Sequence, residues 1–513
     1  MRSIADRVRE ILQRPGTAPA AGGSLPPGPA APADAAGRAA PTPQPAQPTG
    51  AARRTALGAS SVRCRLEDVL GGEWRAQPGG AYFVVESRMD PSSMHGAQAI
   101  GAIADRLNES IAQAPVLAGR SARAPLVFLD LETTGLSGGA GTYAFLVGCA
   151  WFDASGAFVA RQFVVVHAAG ERALLAAVAD ALSAAGALVS FNGRSFDAPM
   201  LETRYLYHRL GWPAESLPHL DMLHVARRLW RPADRGRCRA GSDGGRRGRS
   251  CGAGTTASHD ASCSLAALER QVLGYARLDD VDGVEIPGRY FQFVRTGDPR
   301  PLAAIVEHNR RDLLSLAALT GRALDLVRLG PSAARTAMEA LALGRLYVRA
   351  SLEHRAIASF ERAIELAGAA AAGSRGPVGT LPSPEALPTA SWVHVDALRE
   401  LARLARRGRR HVDAAGYWER ILALEGCSEE AVREASEALA VHHEHRARDL
   451  ETARAFALQA LGAAARSRTV DQVAYRLKRL ERKMGAAATA RRPPFLPLPP
   501  ASGSPTSGRR TSS

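Results

Sequence analysis

Asp130 and Glu132 stand one residue apart inside the apolar word LVFLDLE. Extended backbone sends side chains i and i+2 to the same face, so the two carboxylates project together, while Val127 and Leu129 fall on the alternate positions and serve a core. Acids inside an apolar strand carry a large desolvation cost unless something pairs with them. A hard divalent cation, Mg²⁺ or Mn²⁺, prefers oxygen ligands and would pair both. The competing reading is a strand end in solvent, or a cap on the turn Thr133-Thr134-Gly135. Asp197 follows the strand LVSFNG at the start of a helix, where orphan amides and the helix dipole favour an anion. Alone it is an ordinary N-terminal acid. In the word FNGRSFD, however, Asn192 and Phe196 could hold the turn and position the carboxylate at a strand end, where ligand sites of α/β sheets gather. His308 and Asp312 are four apart and share a helix face, about 6 Å apart; taken by itself this is a surface pair.

Together these groups point to phosphodiester hydrolysis. Two cations held by the carboxylates, about 3.5–4 Å apart, would activate water and stabilise the entering and leaving oxygens. His308 would be the general base near neutral pH. Clustered acids next to a polyanion make sense only with cations that invert the local charge.

The surrounding pattern supplies elements able to hold such a centre. LVFLDLE, TYAFLVGCAWF and FVARQFVVVH read as strands of an antiparallel meander. The helix ERALLAAVADALSAAG, the strand ALVSFNG, the helix SFDAPMLETRYLYHRLG and a short strand at HLDML follow, an α/β layered plan. AYFVVESRM predicts a further short strand. Beyond the turn Gly297-Asp298-Pro299 a long helix carries His308 and Asp312. After 331 every clear element is helical. Leu343, Gly344, Tyr347, Ala356, Phe360 and Ala363 have the spacing of a tetratricopeptide helix pair, with weaker units at Leu398, Leu401, Ala414, Trp418 and Ile421 and at Ala453, Ala457 and Ala460. The plainer reading is an array of α-hairpins without a peptide ligand. The expected organisation is a short helix and disordered Ala/Pro linker over 1–60, an N-terminal extension over 61–124 and the α/β domain over 125–330, interrupted by a disordered Arg/Gly/Cys insertion at 231–261. Helical repeats over 331–484 and a disordered tail over 485–513 complete it.

A net charge of +15, carried almost wholly by arginine since Lys478 and Lys483 are the lysines, favours a polyanion partner, although GC-rich coding gives the same bias. Six cysteines in 513 residues do not form a secreted disulfide framework. With no uninterrupted run of about 18 apolar residues and no leader-like start, the expectation is a soluble cytoplasmic protein without a membrane partner. Cys238, Cys251, His259 and Cys263 are spaced too widely for paired Cys-x-x-Cys zinc ligation. SGGAG lacks the Gly-Lys-Ser/Thr of a nucleotide P-loop, but leaves room for backbone to approach a nucleic-acid strand.

The words FLDLETTGLSGGAGTYAFLVG, SFNGRSFDAPMLETRY, HLDMLHVARRLW and EHNRRDLLSL resemble successive motifs of the YprB-like ribonuclease-H-fold proteins, a branch of the DEDD 3′–5′ exonuclease superfamily. The resemblance covers residues 125–319, and the helical region after them is similar to that family's C-terminal half. It implies a ribonuclease-H-like mixed sheet with flanking helices, followed by an all-α tetratricopeptide-like region. It also implies a metal-dependent 3′–5′ exonuclease acting on DNA or RNA through a two-metal Mg²⁺ or Mn²⁺ site. Asp130 and Glu132 then stand for the first motif, Asp197 for the second, and His308 with Asp312 for the third. Three residues intervene between His308 and Asp312, the spacing of the Tyr-type branch. Thr133, Gly135, Asn192 and Phe196 beside the acids are the candidate substrate contacts. Asp221 in HLDML competes for the second position, and the Asn-x-x-x-Phe-Asp wording favours Asp197. The alternative function is a catalytically weak or inactive nucleic-acid-binding protein whose helical repeats recruit a protein partner.

Overall fold

The computed structural model describes residues 64–135, 142–231, 263–373, 386–463 and 470–490. The expected helix and linker at 1–60, the glycines of SGGAG, nearly all of the insertion and the end of the tail lie outside the described residues.

In chain order, α1 (Leu66–Leu70), β1 (Glu73–Gln77) and β2 (Gly80–Met89) precede a two-residue hairpin, β3 (Met94–His95) with β4 (Gln98–Ala99). Then come α2 (Ile100–Ser110), α3 (Ala114–Ala118), β5 (Leu126–Thr133), β6 (Ala144–Phe152), β7 (Phe158–Val164), α4 (Glu171–Leu182), β8 (Ala187–Ser190), α5 (Asp197–Tyr207), β9 (His219–Asp221) and α6 (Met222–Leu229). After the insertion, α7 (Leu265–Leu268) runs into a π-helical turn at Glu269–Leu273, followed by α8 (Ile286–Thr296) and the long α9 (Arg300–Leu329).

The strands form one seven-stranded sheet, ordered β1-β2-β7-β6-β5-β8-β9. β5, β6 and β7 pair antiparallel, as the meander predicts, and β8 and β9 join parallel to β5. Strand alternation separates two faces. Val127, Leu129, Cys149 and Leu188 pack under α4 and α5 through Leu174, Val178, Leu201 and Tyr205. Phe128, Ala150, Ala160 and Val189 pack under α2, α6 and α9 through Ile103, Leu107, Val225, Leu229, Leu313 and Ala317. The sheet is therefore the middle layer of three, a ribonuclease-H-like mixed sheet with helices on both sides.

The segment expected as an N-terminal extension is instead part of this sheet. β2 pairs with β7 from Phe83 to Met89, and Phe83 and Val85 are buried against the α8 side of the core. Its short alternating run gave no sign of which strand it would join, because register with a distant partner has no local signature. The helix α16 (Val470–Ala490) also continues past 485, where a tail was expected, since the run Ala486-Ala487-Ala488 has high helix propensity.

The rest is helical: α10 (Ala337–Arg349), α11 (Glu353–Gly373), α12 (Ala386–Arg407), α13 (His411–Leu422), α14 (Glu429–His442), α15 (Leu450–Ala463) and α16. Successive helices pack pairwise. At the first pair a Cβ on Gly344 would lie 2.4 Å from the Phe360 ring, so the absence of a side chain is what lets α10 and α11 approach this closely. Among the described residues no helix is long and apolar enough to cross a membrane.

Candidate active site

β5 carries Asp130 and Glu132 on the face that meets α9, and the pairing with β6 shifts register between Glu132 and Thr133. Such irregularities re-aim side chains at a strand end. α9 runs across this face and lays His308, Asn309 and Asp312 over the two acids. Asp197, the first residue of α5, is buried at the neighbouring strand end. Asp130, Glu132, Thr133, Phe196, His308 and Asp312 line a cleft of about 360 Å³ whose other wall includes Val284 and Pro287.

The electrostatics show that the acids share one site. Burial, then the charges of Asp312, Glu132 and Asp197, hold the Asp130 carboxyl well above the usual carboxylate range. Burial, then Asp312 and Asp197, does the same to Glu132. Burial and the nearby Asp221 push Asp197 up to about 7. Crowded carboxylates in low dielectric favour the protonated form unless positive charge is supplied.

Asp130 is held in place by a relay. Gln162 Nε2 donates to Asn309 Oδ1 at 2.9 Å and to the Val306 carbonyl at 2.7 Å, and Asn309 Nδ2 donates to Asp130 Oδ2 at 2.8 Å. Asp130, Gly148 and Gln162 are direct cross-strand neighbours on β5, β6 and β7. A Cβ on Gly148 would stand 2.2 Å from Asn309 Oδ1, so the glycine opens the space that the amide fills.

His308 is partnered on both sides. With Nδ1 carrying the proton it donates to Asp280 Oδ1 at 2.8 Å, and Nε2 lies 3.7 Å from Asp312 Oδ2. Arg277 reaches the same group of acids, bonding Glu269 through Nε and Nη2 at 2.7 and 2.6 Å, Asp280 through Nη1 at 2.8 Å, and Asp312 through Nη2. Asp280, Arg277, Asn309 and Gln162 were not singled out in the sequence. The acidic stretch LDDVD marked Asp280 faintly, and Asn309 stands beside His308; nothing local marked Arg277 or Gln162.

Asp221, the competitor for the second motif, accepts backbone N–H bonds from Asn192 at 2.9 Å, Arg194 at 3.1 Å and Leu223 at 3.0 Å. Its oxygens are thus engaged in caging the turn that leads to Asp197. Of the expected substrate contacts, Thr133 and Phe196 line the cleft, whereas Gly135 and Asn192 do not. Asn192 is exposed and adopts φ 68°, so it shapes the turn through its backbone. Thr133 Oγ1 donates to the Gly135 carbonyl at 3.0 Å.

Among the described residues, no three His, Cys, Asp or Glu side chains are already gathered with metal-ligand spacing. Here Arg277 bonds Asp312, and Asn309 bonds Asp130. The donor set nonetheless fits a hard divalent cation, being all carboxylate oxygen with unfavourable mutual charge that a cation would relieve. Cys238, Cys251 and His259, weighed above as zinc ligands, lie outside the described residues.

Residues 127–324 match the family profile described as the RNase_H superfamily. The chain is also 29% identical over 367 residues to the uncharacterized protein YprB of Bacillus subtilis (strain 168), an alignment covering 70% of this chain and 75% of that protein. Sheet order and profile agree that residues 127–324 have a ribonuclease-H-like fold, with an all-α region following the sheet.

Proposed function

We propose that the protein is a metal-dependent nuclease, acting as a 3′–5′ exonuclease on the phosphodiester bonds of DNA or RNA. The observation that carries this reading is the gathering of Asp130, Glu132 and Asp312 along one cleft with Asp197 buried beside them, and Asp130, Glu132 and Asp197 are each held protonation-prone by burial and neighbouring acids. The exonuclease polarity rests on the resemblance of the motifs. Asp130, Glu132, Asp197 and Asp312 would hold Mg²⁺ or Mn²⁺, which when bound supply positive charge for the attacking and leaving oxygens of an in-line displacement.

The chain's own groups divide the remaining work. His308 Nε2 accepts a proton from the attacking water, while Asp280 fixes the imidazole tautomer through Nδ1. Asn309 orients Asp130. Thr133 and Phe196 meet the terminal nucleotide, and Val284 and Pro287 give its sugar and base an apolar wall. The helical region is free to recruit a protein partner.

The test is degradation of end-labelled single- and double-stranded DNA and RNA with Mg²⁺ or Mn²⁺, against EDTA. The wild type is expected to shorten at least one substrate from its 3′ end, and D130N and D312N are expected to abolish this while circular dichroism stays unchanged. Tight binding without cleavage would favour the scaffold function, and cleavage that survives both substitutions would move the centre elsewhere.

A further inference from the structure

Arg277 precedes Asp312 by 35 residues in sequence, yet each of its three guanidinium nitrogens bonds a carboxylate and Nη2 reaches Asp312 of the acidic centre. Two of them form a fork on Glu269, a carboxylate that is 1% exposed, and the third bonds Asp280. Paired Arg–carboxylate geometry of this kind is among the stronger polar contacts. Glu269 therefore anchors Arg277 whether or not Asp312 is present. The contact with Asp312 is of a different kind. It shares a nitrogen already bonded to Glu269, and Asp312 lines the cleft. If Asp312 turned away, Arg277 would keep three hydrogen bonds, and no buried charge would be orphaned.

A carboxylate oxygen bonded to a guanidinium is not available to a cation, and a fixed positive charge beside it opposes a second one. We propose that Arg277 is a built-in competitor for the divalent cation: it holds Asp312 in the cation-free protein and releases it when the centre is loaded. This rests on the metal-dependent reading above. Arg277 thereby neutralises part of the acidic centre without metal, and it weakens cation binding wherever Asp312 is a ligand. Among the described residues no arginine or lysine is bonded to Asp130, Glu132 or Asp197, so the centre loads unequally, with the Asp312 side last.

Isothermal titration of Mn²⁺ into the full chain tests this, with melting followed in EDTA and in Mn²⁺. In R277K the shorter-reaching ammonium stays on Glu269 and leaves Asp312. R277Q/E269Q removes the opposing buried charges together, so the fold remains testable where R277K fails to fold. Each folded variant is expected to bind Mn²⁺ at least tenfold more tightly than wild type and to gain more thermal stability from Mn²⁺. Wild-type binding with no tightening in either variant would overturn the inference and make Arg277 a purely structural clamp. Failure of the metal-dependent reading looks different: neither wild type nor variants bind Mn²⁺, and the inference falls with it.

Discussion

At the residue scale, what holds the proposed centre is a row of three side-chain positions across the sheet together with one amide from α9. Asn309 is fully buried, and its carboxamide is used at both ends, accepting from Gln162 and donating to Asp130. Truncating it leaves Asp130 crowded by Glu132 and Asp312 without the amide that favours its charged form, so N309A is expected to lower cleavage by about 10–100-fold, the usual range for partners of metal ligands. Circular dichroism should be unchanged, and a rate within twofold of wild type would remove Asn309 from the positioning role. G148A should act through the same amide. Its methyl group cannot coexist with Asn309 Oδ1 at 2.2 Å, and overpacking of this kind costs about 1–3 kcal/mol. If the two positions act through one contact, G148A/N309A will lose less than the sum of the single variants, measured by denaturant unfolding and single-turnover rates. The acid pair at Asp130 and Glu132 was legible because strand alternation is local. The support beneath it was not, since Gly148 and Gln162 acquire their meaning from sheet register, and Arg277 and Asp280 reach the cleft through a loop with no periodicity.

At the element scale, the meander, the long helix bearing His308 and the helical second half were all readable from apolar spacing. The short hairpin β3–β4 was not, having two residues in each strand. It docks through His95, whose Nε2 lies 3.0 Å from Ser315 Oγ of α9 and whose ring sits 4.3 Å from that of Tyr275. Burial, aided by the charge of Arg277, pushes the His95 imidazole down to about 4. The folded protein thus keeps His95 neutral where the unfolded chain, with an ordinary imidazole, binds a proton. Between about pH 6.5 and pH 4 the unfolded state binds more protons, so this histidine's contribution to stability falls as the solution is acidified. Urea unfolding of wild type and H95Q across that window should show a shallower acid loss in the variant. Parallel pH profiles would assign the docking of this hairpin to packing alone.

At the scale of the whole molecule, the boundary near 331 marks a change of secondary structure and not a break in packing. The core beneath α2, α6 and α9 continues without interruption through Leu343, Tyr347, Phe360, Val393 and Leu401 of the helical region. The junction is closed by Glu339 of α10, which is 5% exposed. It receives Arg322 Nη2 at 3.0 Å, Trp230 Nε1 at 2.9 Å and the Arg335 backbone N–H at 2.7 Å. Sequence composition revealed the helices but not this joint, because Arg322, Trp230 and Glu339 lie on three different helices or their ends and meet only when the core forms. Two-domain independence would let each half melt separately; a shared core predicts one cooperative transition. Removing one partner of a buried ion pair leaves the other uncompensated and costs about 3–5 kcal/mol, so E339A should lower the single calorimetric transition of the full chain rather than split off the helical half. The fragment 331–490, deprived of the surface that covers Leu343 and Tyr347, should show no cooperative unfolding of its own. Two resolved transitions in the wild type, with only one of them moved by E339A, would show that the two halves fold independently and that the helical region is an appended module.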